Sequence, residues 1–207
     1  MITDLEGKRV LVTGSSTGIG AAVAEGFARH GSTVVVHYNA NAKAAREVVG
    51  RIEAMGGEAV AIQSDLSTTA GSDGLVAAAA EALGGLDVLV NNAGAMISRA
   101  PIDQIDDAVY DRILDTNVRS VVMVTRAARP FLRDSGAGAI ISVSSIAARN
   151  GGVAGVSLYA GAKAFVSSFT RTMAKELAPD NIRVNGISPG VILTPFHDGK
   201  TQEWLEM

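Results

Sequence analysis

Short runs of β-branched and aliphatic residues alternate along this chain with longer stretches whose apolar positions recur at helical spacing. The strand-like runs are Arg9-Val10-Leu11-Val12-Thr13, Thr33 to Tyr38, Ala59 to Ile62, Leu86 to Val90, Ala139 to Val143 and Ile182 to Ile187. Between them, helices are predicted over Ile19 to His30, Asn41 to Met55, Asp73 to Leu83, Asp106 to Leu132 and Leu158 to Leu177. Gly31, Gly56-Gly57 and Gly84-Gly85 close the first three helices, as residues just past a helix end often do. Several runs are apolar at successive positions, so both of their faces are covered, which is the property of a parallel sheet. Six such strands joined by helical crossovers predict an α/β fold, a doubly wound parallel sheet of Rossmann type with helices on both faces.

The 207 residues, 47% hydrophobic and 19% charged, suit a single domain over 1–207 with ample core. A net charge of −3 without any basic run gives no footprint for nucleic acid or an anionic membrane. With no Cys, the chain has no disulfide, no thiolate metal site and no cysteine nucleophile. His30, His37 and His197 are scattered without ligand spacing, and no metal is expected. His30 precedes Gly31 at a helix end, and His37 reads as a strand-end residue. The first residues lack the apolar core of a signal peptide, and no apolar run is long enough to span a membrane. A cytoplasmic location is the expectation.

Two constellations carry chemistry. The first is Thr13-Gly14-Ser15-Ser16-Thr17-Gly18-Ile19-Gly20, directly after the first strand. Glycines there let the backbone approach a pyrophosphate, and the following helix aims its N-terminal N–H groups at the anion. The glycine spacing differs from G-x-G-x-x-G, and a plain Gly-rich strand-to-helix turn would read the same way. A ribose 2′-OH is held by an acid about 20 residues onward. Here the second strand ends in Tyr38-Asn39, and no Asp or Glu occurs from Phe27 to Arg46. A 2′-phosphate would meet no repulsion there. NADP(H) is therefore the favoured dinucleotide and NAD(H) the possible one. Lys43 and Arg46 are nearby cations, although both also suit an exposed helix face.

The second constellation is Tyr159-Ala160-Gly161-Ala162-Lys163. Residues four apart share a helix face. A cation beside the phenol is expected to lower its pKa from about 10, so that the Tyr can exchange a proton with an alcohol oxygen.

Taken in order along the chain, these motifs resemble the short-chain dehydrogenase/reductase family from about Gly7 to Thr194. The resemblance implies that Gly14, Ser16, Thr17, Gly18, Ile19 and Gly20 form the cofactor turn, followed by Tyr38 and Asn39. It gives Asp65, next to Leu66, the adenine amino group. Asn91-Asn92-Ala93-Gly94 steadies the sheet and lines the cofactor site, and Pro189, Gly190, Ile192 and Thr194 flank the nicotinamide. Tyr159 is then the general acid in reduction and the base in oxidation. Lys163 lowers the Tyr pKa and binds the nicotinamide ribose, and Asn117 anchors a water leading from Lys163 to solvent. A Ser hydroxyl holds the substrate oxygen. Ser142 and Ser144 share one face of the fifth strand and Ser145 the other, unless the strand has ended. Alignment with the family favours Ser145, 14 residues before Tyr159, with Ser144 the alternative.

The activity so implied is hydride transfer between a nicotinamide dinucleotide and a small carbonyl or alcohol substrate. Loops around Ala95 to Ser98, Ala147 to Val156 and Val191 to Trp204, with Arg99 and Arg149 nearby, would form the pocket. They suit a neutral or weakly anionic compound: a 3-oxoacyl thioester, a sugar or polyol, a steroid or a simple ketone. Met96, His197 and Trp204 are candidates for substrate contact. The alternative is a non-catalytic dinucleotide-binding sensor or scaffold, a reading that predicts loss of Tyr159, Lys163 or the Ser, and all are present. The resemblance also implies a homo-oligomer, tetramer or dimer. It further implies a lid, a helix and a final strand beyond Met207, so this last strand is expected to be missing here.

Overall fold

In the computed structural model, which describes residues 3–194, each of the first five strands is followed by a helical connection that returns the chain to start the next strand in parallel. In chain order the elements are β1 (Arg9–Val12), α1 (Gly18–Arg29), β2 (Thr33–Tyr38), α2 (Ala42–Ala54), β3 (Glu58–Gln63), α3 (Thr69–Leu83) and β4 (Val88–Asn91). Then come α4 (Asp107–Leu114), α5 (Ser120–Asp134), β5 (Ala139–Val143), α6 (Ala147–Asn150), α7 (Ser157–Glu176) and β6 (Arg183–Ile187). The sheet order is β3-β2-β1-β4-β5-β6, and every pairing is parallel. The expected doubly wound fold is present. The order reverses between β1 and β4, where such sheets open a crevice at the carboxyl ends of their strands.

The period of two along each strand divides the core between the two faces. Leu11, Val35, Leu89 and Ile140 pack with Leu75, Val76 and Ala79 of α3 and with Val124, Ala128 and Leu132 of α5. Val10, Val12, Val34, Val36, Val88 and Val90 point the other way, onto Ala21, Ala24 and Ala28 of α1 and Ala45, Val48 and Ile52 of α2. Alanines in α1 let that helix lie close on the sheet. Each fully buried Leu or Ile contributes about 2 kcal/mol.

The helix predicted over Asp106 to Leu132 is present as an unbroken helical stretch, Asp107 to Asp134, with a π turn inside it. It consists of α4, a π-helical turn over Asp115–Arg119, and α5. A π turn adds one residue to a helical turn, and the helical apolar spacing on either side leaves it unmarked in the sequence. At the start of α4, Asp106 accepts from the Val109 N–H at 2.8 Å. The third helix begins earlier than its apolar pattern, at Thr69, because the Thr68 hydroxyl accepts from the Gly71 N–H at 3.0 Å. One short helix, α6, occupies part of the segment expected as a pocket loop. Among the described residues, no helix is long and apolar enough to cross a membrane.

Candidate active site at the carboxyl ends of the strands

The turn after β1 is held from both sides. Gly14 has φ 62°, and a Cβ there would lie 2.8 Å from the Ala93 Cα. The Asn92 Nδ2 donates to the Thr13 and Gly14 carbonyls, both at 2.9 Å. The Thr13 hydroxyl accepts from the Asn92 and Ala93 N–H groups at 3.0 Å. A Cβ on Gly20 would overlap Asn92 Nδ2 and the Gly14 carbonyl oxygen, so α1 can approach this turn only with glycine there. Behind it, Asn91 Nδ2 donates to the Thr125 hydroxyl at 2.9 Å and ties β4 to α5.

A cavity of about 530 Å³ runs from this turn across the ends of β4 and β5. Of the residues singled out from sequence, it is lined by Gly14, Thr17, Gly18, Ile19, Gly20, Asn92, Gly94, Ser144, Ser145, Tyr159, Lys163, Pro189, Gly190, Ile192 and Thr194. Met96 and Arg99 also line it. Other candidates stand apart from it. Ser16 lines a shallower hollow between α1 and α2, together with Glu25, Glu47 and Arg51. Tyr38 packs on the α1–α2 core, and Asn39 is exposed. The Asp65 carboxylate accepts from the Ser67 N–H at 3.0 Å, and Leu66 is buried in the core on the α3–α5 face. Ala93 serves through its backbone, as above. Lys43 and Arg46 lie on the exposed side of α2 and line neither space. His197 and Trp204 lie outside the described residues.

At the far end of the cavity, α7 presents Tyr159 and Lys163 on one face, both buried. Lys163 Nζ lies 5.8 Å from the Tyr159 ring centroid and donates to the Val143 carbonyl at 3.0 Å. Burial lowers the Lys163 pKa from 10.5 to about 8. The expected depression of the Tyr159 pKa is not found. Burial raises it, and a hydrogen bond from the Ser145 hydroxyl pulls it part of the way back. Lys163 faces the ring and the strand end, and burial is the larger influence on the phenol.

The strand ends at Val143, so the serines after it follow the loop. The Ser144 hydroxyl is buried, 2.7 Å from both the Lys163 carbonyl and the Ser167 hydroxyl. The Ser145 hydroxyl accepts from the Ala147 N–H at 3.1 Å and bonds the Tyr159 phenol in the cavity. Asn117 sits in the π turn, behind Gly94. Its Nδ2 donates to the Ala95 and Ile113 carbonyls at 2.8 and 2.9 Å, and its Oδ1 accepts from the Ala95 N–H at 3.1 Å. A Cβ on Gly94 would lie 2.8 Å from Asn117 Oδ1 and 2.9 Å from Lys163 Nζ, so both polar groups converge on that glycine.

Sequence reasoning named the loops that supply the wall but missed Ile146, which precedes one of them. Ile146, Val153 and Val156 supply apolar wall, and hydrophobicity alone does not distinguish them from core. Ile97 adopts φ 61° inside a tight turn closed by the Ser98 N–H on the Met96 carbonyl at 2.7 Å. A β-branched residue is strained there, and such strain gathers at functional loops. Among the described residues, no group of His, Cys, Asp or Glu could hold a metal ion.

The family described as short chain dehydrogenase matches residues 8–204. An uncharacterized oxidoreductase of Methylorubrum extorquens is 42% identical over 198 residues, 93% of this chain and 76% of that protein. Among solved structures, an NADH-dependent reductase A1-R′ complexed with NAD is 41% identical with a TM-score of 0.88, covering 93% of this chain and 82% of that one. A short chain dehydrogenase from Burkholderia cenocepacia in complex with NADP is 40% identical with a TM-score of 0.90, covering 97% of this chain and 81% of that one. A parallel sheet in this strand order, a glycine turn at its switch point and likeness along nearly the whole chain converge: the protein belongs to the short-chain dehydrogenase/reductase family and is an NAD(P)-dependent oxidoreductase.

Proposed function

We propose that this protein interconverts a ketone and a secondary alcohol, with Ser145, Tyr159, Lys163 and Asn117 as its working groups. The observation that supports this most directly is that Ser145, Tyr159 and Lys163 meet in the same cavity that begins at the glycine turn. The turn fits a nicotinamide dinucleotide. Its glycines leave the backbone bare where a Cβ would intrude, and α1 points its N-terminus at the same place. Gly14, Gly18, Ile19 and Gly20 would hold the pyrophosphate side, and Asn92, Gly94, Pro189, Gly190, Ile192 and Thr194 the nicotinamide side. When bound, the dinucleotide supplies a hydride to the carbonyl carbon or accepts one from the alcohol.

The chain's own residues manage the proton and the oxygen. Ser145, already bonded to the phenol, orients the carbonyl oxygen and stabilises the charge that grows on it. Tyr159, kept protonated by burial, donates its proton to that oxygen, and the product is the neutral alcohol. The Lys163 ammonium stabilises the phenolate left behind, and Asn117 fixes the backbone of Ala95 beside it. In alcohol oxidation the same proton returns to Tyr159.

NADP(H) preference is part of this reading, supported by the carboxylate-free stretch from Phe27 to Arg46. NAD(H) use is a second reading, favoured by Glu25 and Glu47 in the hollow beside Ser16. For substrate, the apolar wall of Met96, Ile146, Val153 and Val156, with Arg99 and with no carboxylate among the described residues that line the cavity, supports a neutral or weakly anionic carbonyl compound. A homo-oligomer also belongs here. Phe165 is 42% exposed and stacks on Phe169 with ring centroids 5.7 Å apart, an apolar strip on α7 suited to a second copy.

The test is dinucleotide oxidation against a panel of carbonyl compounds, with NADPH and NADH in parallel. Tyr159→Phe should lower turnover about 10²–10⁴-fold and Ser145→Ala about 10²-fold, with cofactor binding kept in both. Ser144→Ala should retain turnover. Full turnover in Ser145→Ala with loss in Ser144→Ala would reverse the assignment. Tight dinucleotide binding without turnover of any carbonyl would favour a sensor or scaffold.

A further inference from the structure

His37, at the end of β2, is 3% exposed and makes more contacts than a strand-end residue needs. Its Nδ1 accepts from the Gly14 N–H at 2.8 Å, and its Nε2 lies 3.1 Å from the Ser64 carbonyl oxygen. A backbone N–H can only donate and a carbonyl can only accept, so Nδ1 carries the lone pair and Nε2 the proton. The His37 backbone adds to the link: its N–H donates to the Ser15 hydroxyl at 2.9 Å, and its carbonyl accepts from the Ser15 N–H at 2.9 Å. Ser15 in turn donates to the Val12 carbonyl at 2.6 Å.

These bonds reach two separate parts of the dinucleotide site. On one side is Gly14, whose carbonyl is already held by Asn92. With His37 on its N–H, the glycine is gripped through both of its polar groups. On the other side is Ser64, which precedes Asp65 and whose hydroxyl donates to the Gly71 carbonyl in the first turn of α3. The imidazole therefore spans from the turn after β1 to the segment after β3. An apolar side chain in its place would leave the Gly14 N–H without an acceptor, and an imidazolium would set N–H against N–H. Burial lowers the His37 pKa, partly offset by the Ser64 carbonyl, in keeping with a neutral ring.

We propose that His37 is a positioning residue for the dinucleotide: its Nδ1, by accepting the Gly14 N–H, fixes the glycine turn, and the Ser64 carbonyl on Nε2 holds the tautomer that leaves Nδ1 free to accept. It acts through Gly14 and is not placed in contact with the cofactor. This inference rests on the proposed reading of the cavity as a dinucleotide site.

Two variants separate its two bonds. In His37→Asn, Oδ1 occupies the place of Nδ1 and keeps the acceptor for Gly14. In His37→Gln, the amide can reach Ser64, but the acceptor for Gly14 is gone. Dissociation constants for NADPH and NADH, kcat at saturating cofactor and the thermal midpoint would be measured for the whole chain. His37→Gln is expected to raise the dissociation constant about tenfold. Its kcat at saturation should change less than about twofold, and His37→Asn should bind within about threefold of wild type. If the Gln variant does not fold, His37→Ala, which removes both bonds, replaces it and should weaken binding at least about tenfold. Equal affinity in Gln and wild type, equal weakening in Asn and Gln, or a lowered midpoint with unchanged affinity would each overturn the assignment. A wild-type protein that binds neither dinucleotide would instead overturn the reading of the cavity.

Discussion

Lys163 is 4% exposed and its ammonium donates to the Val143 carbonyl, so the protein holds a cation where water cannot solvate it. Its pKa near 8, against 10.5 in an exposed Lys, sets two pH effects. Raising the pH through about 8 removes the charge, whereas Tyr159 keeps its proton because its own pKa is raised. The kcat/KM for carbonyl reduction should therefore fall as pH passes about 8, measured as dinucleotide oxidation across pH 6–10. Stability moves the other way. From about pH 8 to 10.5 the unfolded chain binds the Lys163 proton and the native protein does not, so this contribution to stability rises with pH over that window. The rise is on the order of a few kcal/mol. Denaturant unfolding at pH 7, 8, 9 and 10 should show it in wild type and not in Lys163→Met. The Tyr159–Lys163 pair was legible in the sequence because helix geometry alone puts residues four apart on one face. The sign of the Tyr159 pKa shift was not, because it depends on burial.

Among the elements, the π turn over Asp115–Arg119 most directly shapes the site. It places Asn117 where one side chain bonds both polar groups of Ala95 and the Ile113 carbonyl. Gly94 lies between Asn117 Oδ1 and Lys163 Nζ, and a methyl group there would press on both side-chain tips. Those tips can move, so Gly94→Ala should fold with a loss of about 1–3 kcal/mol. The Lys163 ammonium moves with them, and on the proposed mechanism kcat should fall about 10²-fold. Single-turnover kinetics beside a denaturant melt would check the split, and unchanged turnover would mean that the position of Lys163 relative to Asn117 is not critical. The alternation of strands and helices was readable from 10–13, 33–38 or 139–143 because each run buries both faces. The π turn was not, since the apolar pattern over Asp106 to Leu132 is that of one helix. Within that turn the Asn117 side chain is tied to the distant Ala95.

For the whole molecule, the parallel order β3-β2-β1-β4-β5-β6 brings residues from 14 to 194 to one edge of the sheet. The strip of Phe165 and Phe169 on α7 faces outward from that frame. Phe165→Glu should lower the sedimentation coefficient at equal protein concentration if α7 docks on a second copy, and leave it unchanged otherwise. The sequence by itself determined the fold class and the candidate chemistry, because strand and helix periods, the glycine turn and the Tyr-Lys spacing are local properties of the chain. Only the tertiary structure decided which serine faces Tyr159, that Asn117 closes on Ala95 and that His37 joins Gly14 to Ser64. Each of those facts depends on which atoms meet across the ends of strands far apart in sequence, and on how far burial strips water from them.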